Sequence, residues 1–181
     1  MEKLNLNIDI QAEQKTAQEH IKEQGLRVLV CAGTGCVANG SLKVIEKFKE
    51  LGADVAVLSD YDKMTIVPTG CHGFCEQGVL VVIPDKHVTY VKVKEKDVEE
   101  IYESHIKNNK PVERLLYVDP KTHEHVMDDE HINFYAKQTR TALANCGNIN
   151  AESIEEAIAV RGYEALAKVL EENNPDAVID T

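Results

Sequence analysis

Two close pairs of cysteines constrain this chain more than any other feature of its sequence. Four residues separate Cys31 from Cys36, and three residues separate Cys71 from Cys75. Each pair occupies a glycine-bearing loop that follows a segment with the composition of a β-strand. Four thiolates brought together on such loops are the ligand set of a metal centre, and iron–sulfur clusters are commonly held in this way. The sequence therefore favours a fold that gathers both loops around a metal.

The composition of the 181 residues argues against several classes of protein. A formal charge of −11 disfavours a nucleic-acid-binding protein, because such proteins present basic surfaces. No apolar run approaches the roughly 20 residues that a membrane helix requires, and the first residues lack the apolar core of a signal peptide. We therefore expect a cytoplasmic protein, in which disulfides are disfavoured and cysteines serve metal or redox chemistry.

Hydrophobic periodicity predicts an α/β arrangement in the first 109 residues. The predicted strands are 26–30, 54–58, 64–68, 79–83 and 88–93, and the predicted helices are 8–23, 41–51 and 97–107. Strand 26–30, helix 41–51 and strand 54–58 form a βαβ unit, which is expected to be parallel and right-handed. Asp97 is expected to cap the helix that follows it. This order of elements, with a hairpin near its end, is typical of a thioredoxin-like layout.

The pattern of predicted secondary structure changes at Lys110. Residues 111–117 are predicted to be extended, and residues 123–130 to form a polar loop. Candidate helices follow at 132–144, 152–160, 163–172 and 176–180. The predicted divisions of the chain are an N-terminal polar helix (1–25), a thioredoxin-like domain (26–109), a linker (110–131) and a helical segment (132–181).

Residue chemistry alone leaves several kinds of cysteine site open. A structural zinc site tolerates spacers of this length, although a domain of this size does not need a metal to have a core. A thioredoxin dithiol requires two residues between its cysteines, which neither pair has. Disulfides within the pairs conflict with the expected compartment. A binuclear iron–sulfur cluster with two thiolates per iron fits best, because the nearby glycines let backbone amides approach the sulfur atoms.

At these residues the chain resembles the thioredoxin-like [2Fe-2S] ferredoxin family, whose relatives include a small subunit of complex I. The resemblance rests on the first cysteine pair together with the run Cys71-His72-Gly73-Phe74-Cys75-Glu76-Gln77-Gly78. Later stretches are similar to the flavin-carrying subunits of bacterial NAD(P)-dependent [FeFe]-hydrogenases, including electron-bifurcating ones, which are related to the flavin-carrying subunit of complex I. These stretches are 111–117, 134–140, 143–147, 149–154 and 162–166.

The resemblance implies an α/β, thioredoxin-like [2Fe-2S] ferredoxin domain followed by a linker and a small helical segment. It implies that all four paired cysteines ligate one [2Fe-2S] cluster, namely Cys31, Cys36, Cys71 and Cys75. The cluster would relay single electrons among the subunits of an NAD(P)H-linked oxidoreductase of the hydrogenase or NADH dehydrogenase type. The competing hypothesis is a zinc-stabilised four-cysteine interaction domain without redox activity.

The resemblance also implies what these residues do not contain. FMN, NAD(P) and a [4Fe-4S] cluster are expected only in a further part of the parent subunit, because the sequence stops short of the family's glycine-rich FMN loop. We therefore expect a fragment that does not oxidise NADH by itself. Its expected partners are the other subunits of a redox complex, with no nucleic acid and no membrane span, and a homo-oligomer is compatible with the sequence.

Other residues near the cysteines are expected to have supporting roles. His72 lies between two predicted ligands, and it is expected to be an exposed loop residue or a hydrogen-bond donor rather than a ligand. The remaining side chains of interest are expected to be solvated histidines, a packed thiol, and aromatic rings in the core or covering it: His123, His125, His131, Cys146, Phe74 and Tyr135.

Overall fold

The computed structural model describes residues 9–52 and 61–180. Backbone contacts divide the chain into two units. One unit contains residues 24–151, and the other contains residues 1–23 together with 152–181. All four paired cysteines belong to the first unit, so the site is built within it.

A mixed sheet forms the centre of the unit that spans residues 24–151. Its four described strands are β1 (Leu26–Cys31), β2 (Met64–Thr69), β3 (Val81–Ile83) and β4 (Val88–Tyr90), in the spatial order β2-β1-β3-β4. β1 and β2 are parallel, and their register runs from Leu26 opposite Met64 to Cys31 opposite Thr69. β3 is antiparallel to β1 and to β4. Because parallel strands end at the same edge, β1 and β2 deliver both cysteine loops to one place.

Helices pack on this sheet through regularly spaced apolar residues. The short α2 (Thr34–Ala38) is followed by α3 (Ser41–Gly52), which buries Val44, Ile45 and Phe48 at helical spacing. After β4 the chain forms a 3₁₀ turn at Glu95–Asp97, then α4 (Val98–Glu100) and a π-helical stretch at Ile101–Lys107. The buried side chains of these helices join most of those of the sheet in the main hydrophobic core, whereas Leu29, Val67 and Val82 form a separate cluster.

The chain from residue 113 to 136 continues around the same core. It forms a 3₁₀ turn at Glu113–Leu115, a two-stranded ribbon of β5 (Tyr117–Val118) and β6 (His125–Val126), and the single turn of α5 (Asn133–Ala136). Leu115, Leu116 and Ile132 are buried in the main core. Residues that follow the predicted thioredoxin-like domain are therefore packed against its core.

The second unit consists of helices from both ends of the chain. α1 (Ile10–Lys22) begins at Asp9, whose carboxylate accepts hydrogen bonds from the amides of Gln11 and Ala12. The later helices are α6 (Ile154–Ala159), α7 (Glu164–Glu172) and α8 (Pro175–Ile179). α1 packs on α6, and the Gln18 side-chain amide donates to the Ala159 carbonyl at 3.0 Å.

Most predicted strands and helices are confirmed, with informative exceptions. The strand predicted at 54–58 lies outside the described residues. The predicted cap at Asp97 is wrong, because its carboxylate instead accepts from the Lys94 amide at 2.9 Å and from Arg114. The helix predicted at 132–144 is also wrong. Only α5 is helical there, because the chain beyond it turns toward the second cysteine loop, where Arg140 forms a hydrogen bond.

Within residues 9–52 and 61–180, no helix is long and apolar enough to cross a membrane.

Candidate metal centre

The four paired cysteines lie at the edge of the sheet where β1 and β2 both end. Cys31 is the last residue of β1, and Cys36 lies on α2, one turn later. Cys71 follows β2 by two residues, and Cys75 begins a 3₁₀ turn. The structure therefore places both predicted loops at the same edge. The sequence predicted only a loop after β1, whereas the structure has the short helix α2 there, and Cys36 lies on it.

Glycines let the two cysteine loops approach each other closely. A Cβ atom added to Gly33 would lie 2.9 Å from the Cys71 Cβ, and one added to Gly78 would lie 2.7 Å from the Cys36 Sγ. A Cβ added to Gly35 would lie 3.7 Å from the Cys75 Sγ. Cys71 and Cys75 therefore meet glycines of the first loop, and Cys36 meets a glycine that follows the second. These approaches leave no space for a side chain at Gly33 or Gly78.

The cysteines approach one another closely. The Sγ atoms of Cys71 and Cys75 are 3.8 Å apart, and the Cys31 thiol interacts with the thiols of Cys36 and Cys71. Two thiolates bound at about 2.3 Å to one tetrahedral metal lie about 3.8 Å apart, so the first distance suits ligands of a single metal. As the described side chains stand, no three of the His, Cys, Asp and Glu groups are placed to hold one metal ion together.

The two sides of the site differ in exposure. Cys31 and Cys36 are buried at 1% and 2% exposure, whereas Cys71 and Cys75 are exposed. A cofactor held by all four would thus have an inner side within the core and an outer side facing solvent. The second pair is therefore the part of the site that faces solvent.

Backbone amides point at the sulfur atoms. The hydrogen bond from Cys36 and, after it, the amides of His72 and Gly33 lower the pKa of the Cys31 thiol to about 6, against the opposing effect of burial. The same hydrogen bond, together with burial, raises the pKa of Cys36. The Gly73 amide donates to the Cys71 Sγ at 3.3 Å. Because the thiolate is the form that binds metals, this environment prepares Cys31 as a ligand.

His72 is not the exposed loop residue that the sequence suggested. It is 5% exposed, and its Nε2 lies 3.1 Å from the Thr69 Oγ1. Burial, assisted by the charge of Arg140, lowers its pKa to about 4, so the ring is neutral near pH 7. The alternative expectation, a hydrogen-bonding role, agrees with these contacts.

Aromatic rings cover the second cysteine loop. Phe74, between Cys71 and Cys75 in sequence, is buried and stacks on Phe134 with ring centroids 4.5 Å apart. Tyr135 meets Phe74 edge-on at 5.5 Å. Phe74 and Tyr135 therefore serve as core and cover, as expected. Phe134 was not singled out from the sequence, since an isolated aromatic residue carries no signal of what it contacts.

Arg140 and Gly147 are two further residues that sequence reasoning did not identify as part of the site. The Arg140 guanidinium donates to the His72 carbonyl oxygen at 2.5 Å. Gly147 packs its backbone on the His72 ring. The stretches that resemble hydrogenase subunits contain both residues, but resemblance alone did not indicate that they reach the cysteines.

The other candidate side chains lie elsewhere. His123, His125 and His131 are exposed, as predicted, and His131 forms a hydrogen bond with Asp128 at 2.7 Å. Cys146 is half-buried and lies in a turn.

Comparison with known proteins finds a family and several relatives that are similar to this chain. The sequence model of the family described as "Thioredoxin-like [2Fe-2S] ferredoxin" matches residues 15–105. A "Ferredoxin, 2Fe-2S" of Clostridium pasteurianum is 41% identical over 80 residues, which are 44% of this chain and 76% of that protein. The "NADP-reducing hydrogenase subunit HndC" of Solidesulfovibrio fructosivorans is 57% identical over 44 residues, which are 24% of this chain and 9% of that subunit.

A solved structure is also similar to the chain. The crystal structure of the wild-type thioredoxin-like [2Fe-2S] ferredoxin from Aquifex aeolicus is 35% identical in sequence, with a TM-score of 0.45. The alignment covers 50% of this chain and 93% of the crystallised one.

Proposed function

The chain belongs to the thioredoxin-like [2Fe-2S] ferredoxin family, and from that premise we propose that its two cysteine pairs ligate one [2Fe-2S] cluster. Family membership gives an electron-transfer iron–sulfur domain of α/β, thioredoxin-like fold. The assignment of ligands is our own: Cys31, Cys36, Cys71 and Cys75. The observation that carries it is the parallel pairing of β1 and β2, which ends both strands at one edge and brings both loops there.

The residues around the site fit the chemistry of such a cluster. When bound, a [2Fe-2S] centre supplies one-electron transfer. The chain contributes two buried thiols, two exposed thiols and amide donors from Gly33, His72 and Gly73. Amides that donate to sulfur favour the more reduced, more negative state, so they raise the reduction potential. The buried pair keeps water from the inner side, and the exposed pair leaves a short path to a partner.

We further propose that the domain works within a multi-subunit, NAD(P)H-linked oxidoreductase of the hydrogenase or NADH dehydrogenase type. The similarity to the hydrogenase subunit HndC supports this context. FMN, NAD(P) and a [4Fe-4S] cluster belong, in this proposal, to other parts of such a complex. The proposed domain division stays as 1–25, 26–109, 110–131 and 132–181.

The proposed location is the cytoplasm, and the proposed partners are other subunits of a redox complex. The net charge of −11 supports a partner other than nucleic acid, since nucleic-acid binders present basic surfaces. Association of the chain with itself stays a prediction, which the mass of the purified protein would test.

Iron and acid-labile sulfide analysis tests the cluster itself. We expect about two irons and two sulfides per chain, with a spin-half electron paramagnetic resonance signal after reduction by dithionite. Anaerobic purification protects the cluster during this measurement. One zinc per chain, with no sulfide and no signal after attempted reconstitution, would support the zinc-stabilised interaction domain instead.

Single cysteine substitutions test the ligand assignment. Cys71→Ser and Cys75→Ser should each abolish the cluster or change its spectrum, because an alkoxide is a poor replacement for a thiolate at iron. Cys146→Ser is the matched control, since this half-buried cysteine is not among the proposed ligands. Loss of the cluster in the Cys146 variant, or an unchanged spectrum in both others, would refute the assignment.

A further inference from the structure

A residue outside the matched part of the chain contacts the second cysteine loop. The family match ends at residue 105, yet the Arg140 Nη2 donates to the His72 carbonyl oxygen at 2.5 Å. The two residues are 68 positions apart in sequence and lie in the same unit. The extension beyond the ferredoxin domain therefore supplies part of the surroundings of the site.

The carbonyl group that Arg140 holds belongs to the peptide bond between His72 and Gly73, next to the proposed ligand Cys71. This peptide group is planar, and its N–H, the amide of Gly73, donates to the Cys71 Sγ at 3.3 Å. By holding the carbonyl oxygen of His72, Arg140 therefore restrains the amide that donates to Cys71.

The His72 ring is held from two other directions. Its Nε2 contacts the Thr69 Oγ1, at the end of β2. A Cβ at Gly147 would lie 2.7 Å from the His72 Nδ1, so the Gly147 backbone rests directly on the ring. Gly147 has a φ of +91°, which favours glycine. Arg140 and Gly147 belong to one short stretch, so this stretch holds His72 at both its backbone and its ring.

The Tyr135 ring shields one side of the Arg140 guanidinium from solvent. The guanidinium carbon lies 4.9 Å from the centre of the Tyr135 ring, which itself packs edge-on against Phe74. The Tyr135 hydroxyl oxygen is buried, and it has no hydrogen-bond partner among the described residues. A cation in such surroundings is screened less than one in water, so its field reaches the cysteine loops with greater strength.

We propose that Arg140 is a positioning residue for the cysteine loops and that its positive charge raises the reduction potential of the centre they hold. One-electron reduction adds one negative charge at the loops, and a fixed cation nearby stabilises that charge. The inference rests on the proposed function, since it requires that the cysteines hold the cluster. Tyr135 keeps the guanidinium in place and protects it from solvent.

The test is a redox titration of the full chain, followed by electron paramagnetic resonance. Arg140→Gln removes the charge, whereas Arg140→Lys keeps it. Lys47→Gln is the control, because it removes a half-buried cation that pairs with Glu50 on α3 rather than with a cysteine loop. Iron and sulfide are measured on every variant. Absence of both from the wild-type chain would refute the proposed function, separately from the role of Arg140.

The midpoint potentials and the iron contents of the variants decide the role of Arg140. A more negative midpoint potential in Arg140→Gln, with wild-type potentials in Arg140→Lys and Lys47→Gln, supports it. An unchanged potential in Arg140→Gln overturns it, and so does an equal shift in the Lys47 control. If Arg140→Gln holds no iron, Arg140→Lys decides. A wild-type potential there supports the role of the charge, whereas loss of iron there too overturns it, because a positive charge at this position is then not sufficient.

Discussion

Gly33 limits how closely the two cysteine loops can approach each other. A Cβ at this position would lie 2.9 Å from the Cys71 Cβ, a distance that real Cβ atoms essentially never show. The atom it meets is next to the backbone, so it cannot move away as the end of a long side chain could. The loops themselves would have to separate.

We therefore expect Gly33→Ala to hold its cluster about 10-fold less tightly than the wild-type chain, the lower end of what disturbing groups around a metal ligand commonly costs. Chelator-induced bleaching of the visible absorption would measure this. Gly70→Ala is the matched control, because no atom lies within 4 Å of a Cβ added there, although Gly70 adjoins Cys71. Equal bleaching rates in the two variants would show that the close approach at Gly33 is unimportant.

At the level of secondary structure, a buried hydrogen-bond chain connects β4 to the π-helical stretch. The Tyr90 hydroxyl accepts from the Val112 amide at 3.0 Å, so its own proton is available to the His105 Nδ1 at 2.7 Å. Burial, assisted by the charge of Lys86, lowers the pKa of His105 from 6.5 to about 4. Protonation of the His105 Nδ1 would remove the hydrogen bond that the Tyr90 hydroxyl donates to it. β4 and the π-helical stretch therefore pack together while the His105 ring is neutral.

This chain of bonds predicts acid sensitivity. Because the unfolded chain takes up a proton near pH 6.5 and the folded one only near pH 4, the contribution of His105 to stability is complete above pH 6.5. As the pH falls from 6.5 to 4, this contribution is lost, and the free energy of unfolding decreases by at most about 3 kcal/mol. His105→Gln should flatten the fall in thermal midpoint over this window, whereas substitution of the exposed His123 by Gln should not. Parallel pH profiles for the wild type and the His105 variant would contradict the prediction.

The same elements show which parts of the structure could be predicted from the sequence. β1, α3 and the hairpin were predictable, because each has a short-range pattern of apolar residues that its own burial explains. The cysteine spacing predicted that two loops would meet, and the parallel register of β1 and β2 fulfils this.

The stretch from residue 132 to 147 was not predictable in the same way. Its composition is suitable for a helix, yet the helix ends at Ala136. The competing contacts are long-range ones, from Arg140 to the His72 carbonyl and from Gly147 to the His72 ring. No local pattern encodes a partner 68 residues away. The burial of His72 could not be predicted from the sequence for the same reason.

Considered as a whole, the molecule joins its first and later helices in one unit. Ala17 of α1 is buried at 3% exposure, and Gln18 donates to the Ala159 carbonyl of α6. An isolated helix of 13 residues is marginally stable in water, so α1 depends on this packing. The four paired cysteines all lie in the other unit.

Deletion of residues 152–181 should therefore unfold α1 without removing the cluster. We expect the loss of helical circular dichroism to exceed the contribution of the deleted helices, while iron per chain stays at the wild-type value. Deletion of 175–181 alone is the control, because it keeps α6 in place. Amides of α1 that remain protected from hydrogen exchange after the larger deletion would show that the helix does not need its partner.

The pairing of α1 with α6 also sets an order of events on the ribosome. Gln18 and Ala159 are 141 residues apart, so at about 5–20 residues per second roughly 7 to 30 s of synthesis separate them. The whole unit of residues 24–151 is translated in that interval, and it can begin to fold while α1 still lacks its partner. α1 can therefore pack only after α6 has been made, and until then its apolar edge is open to chaperones.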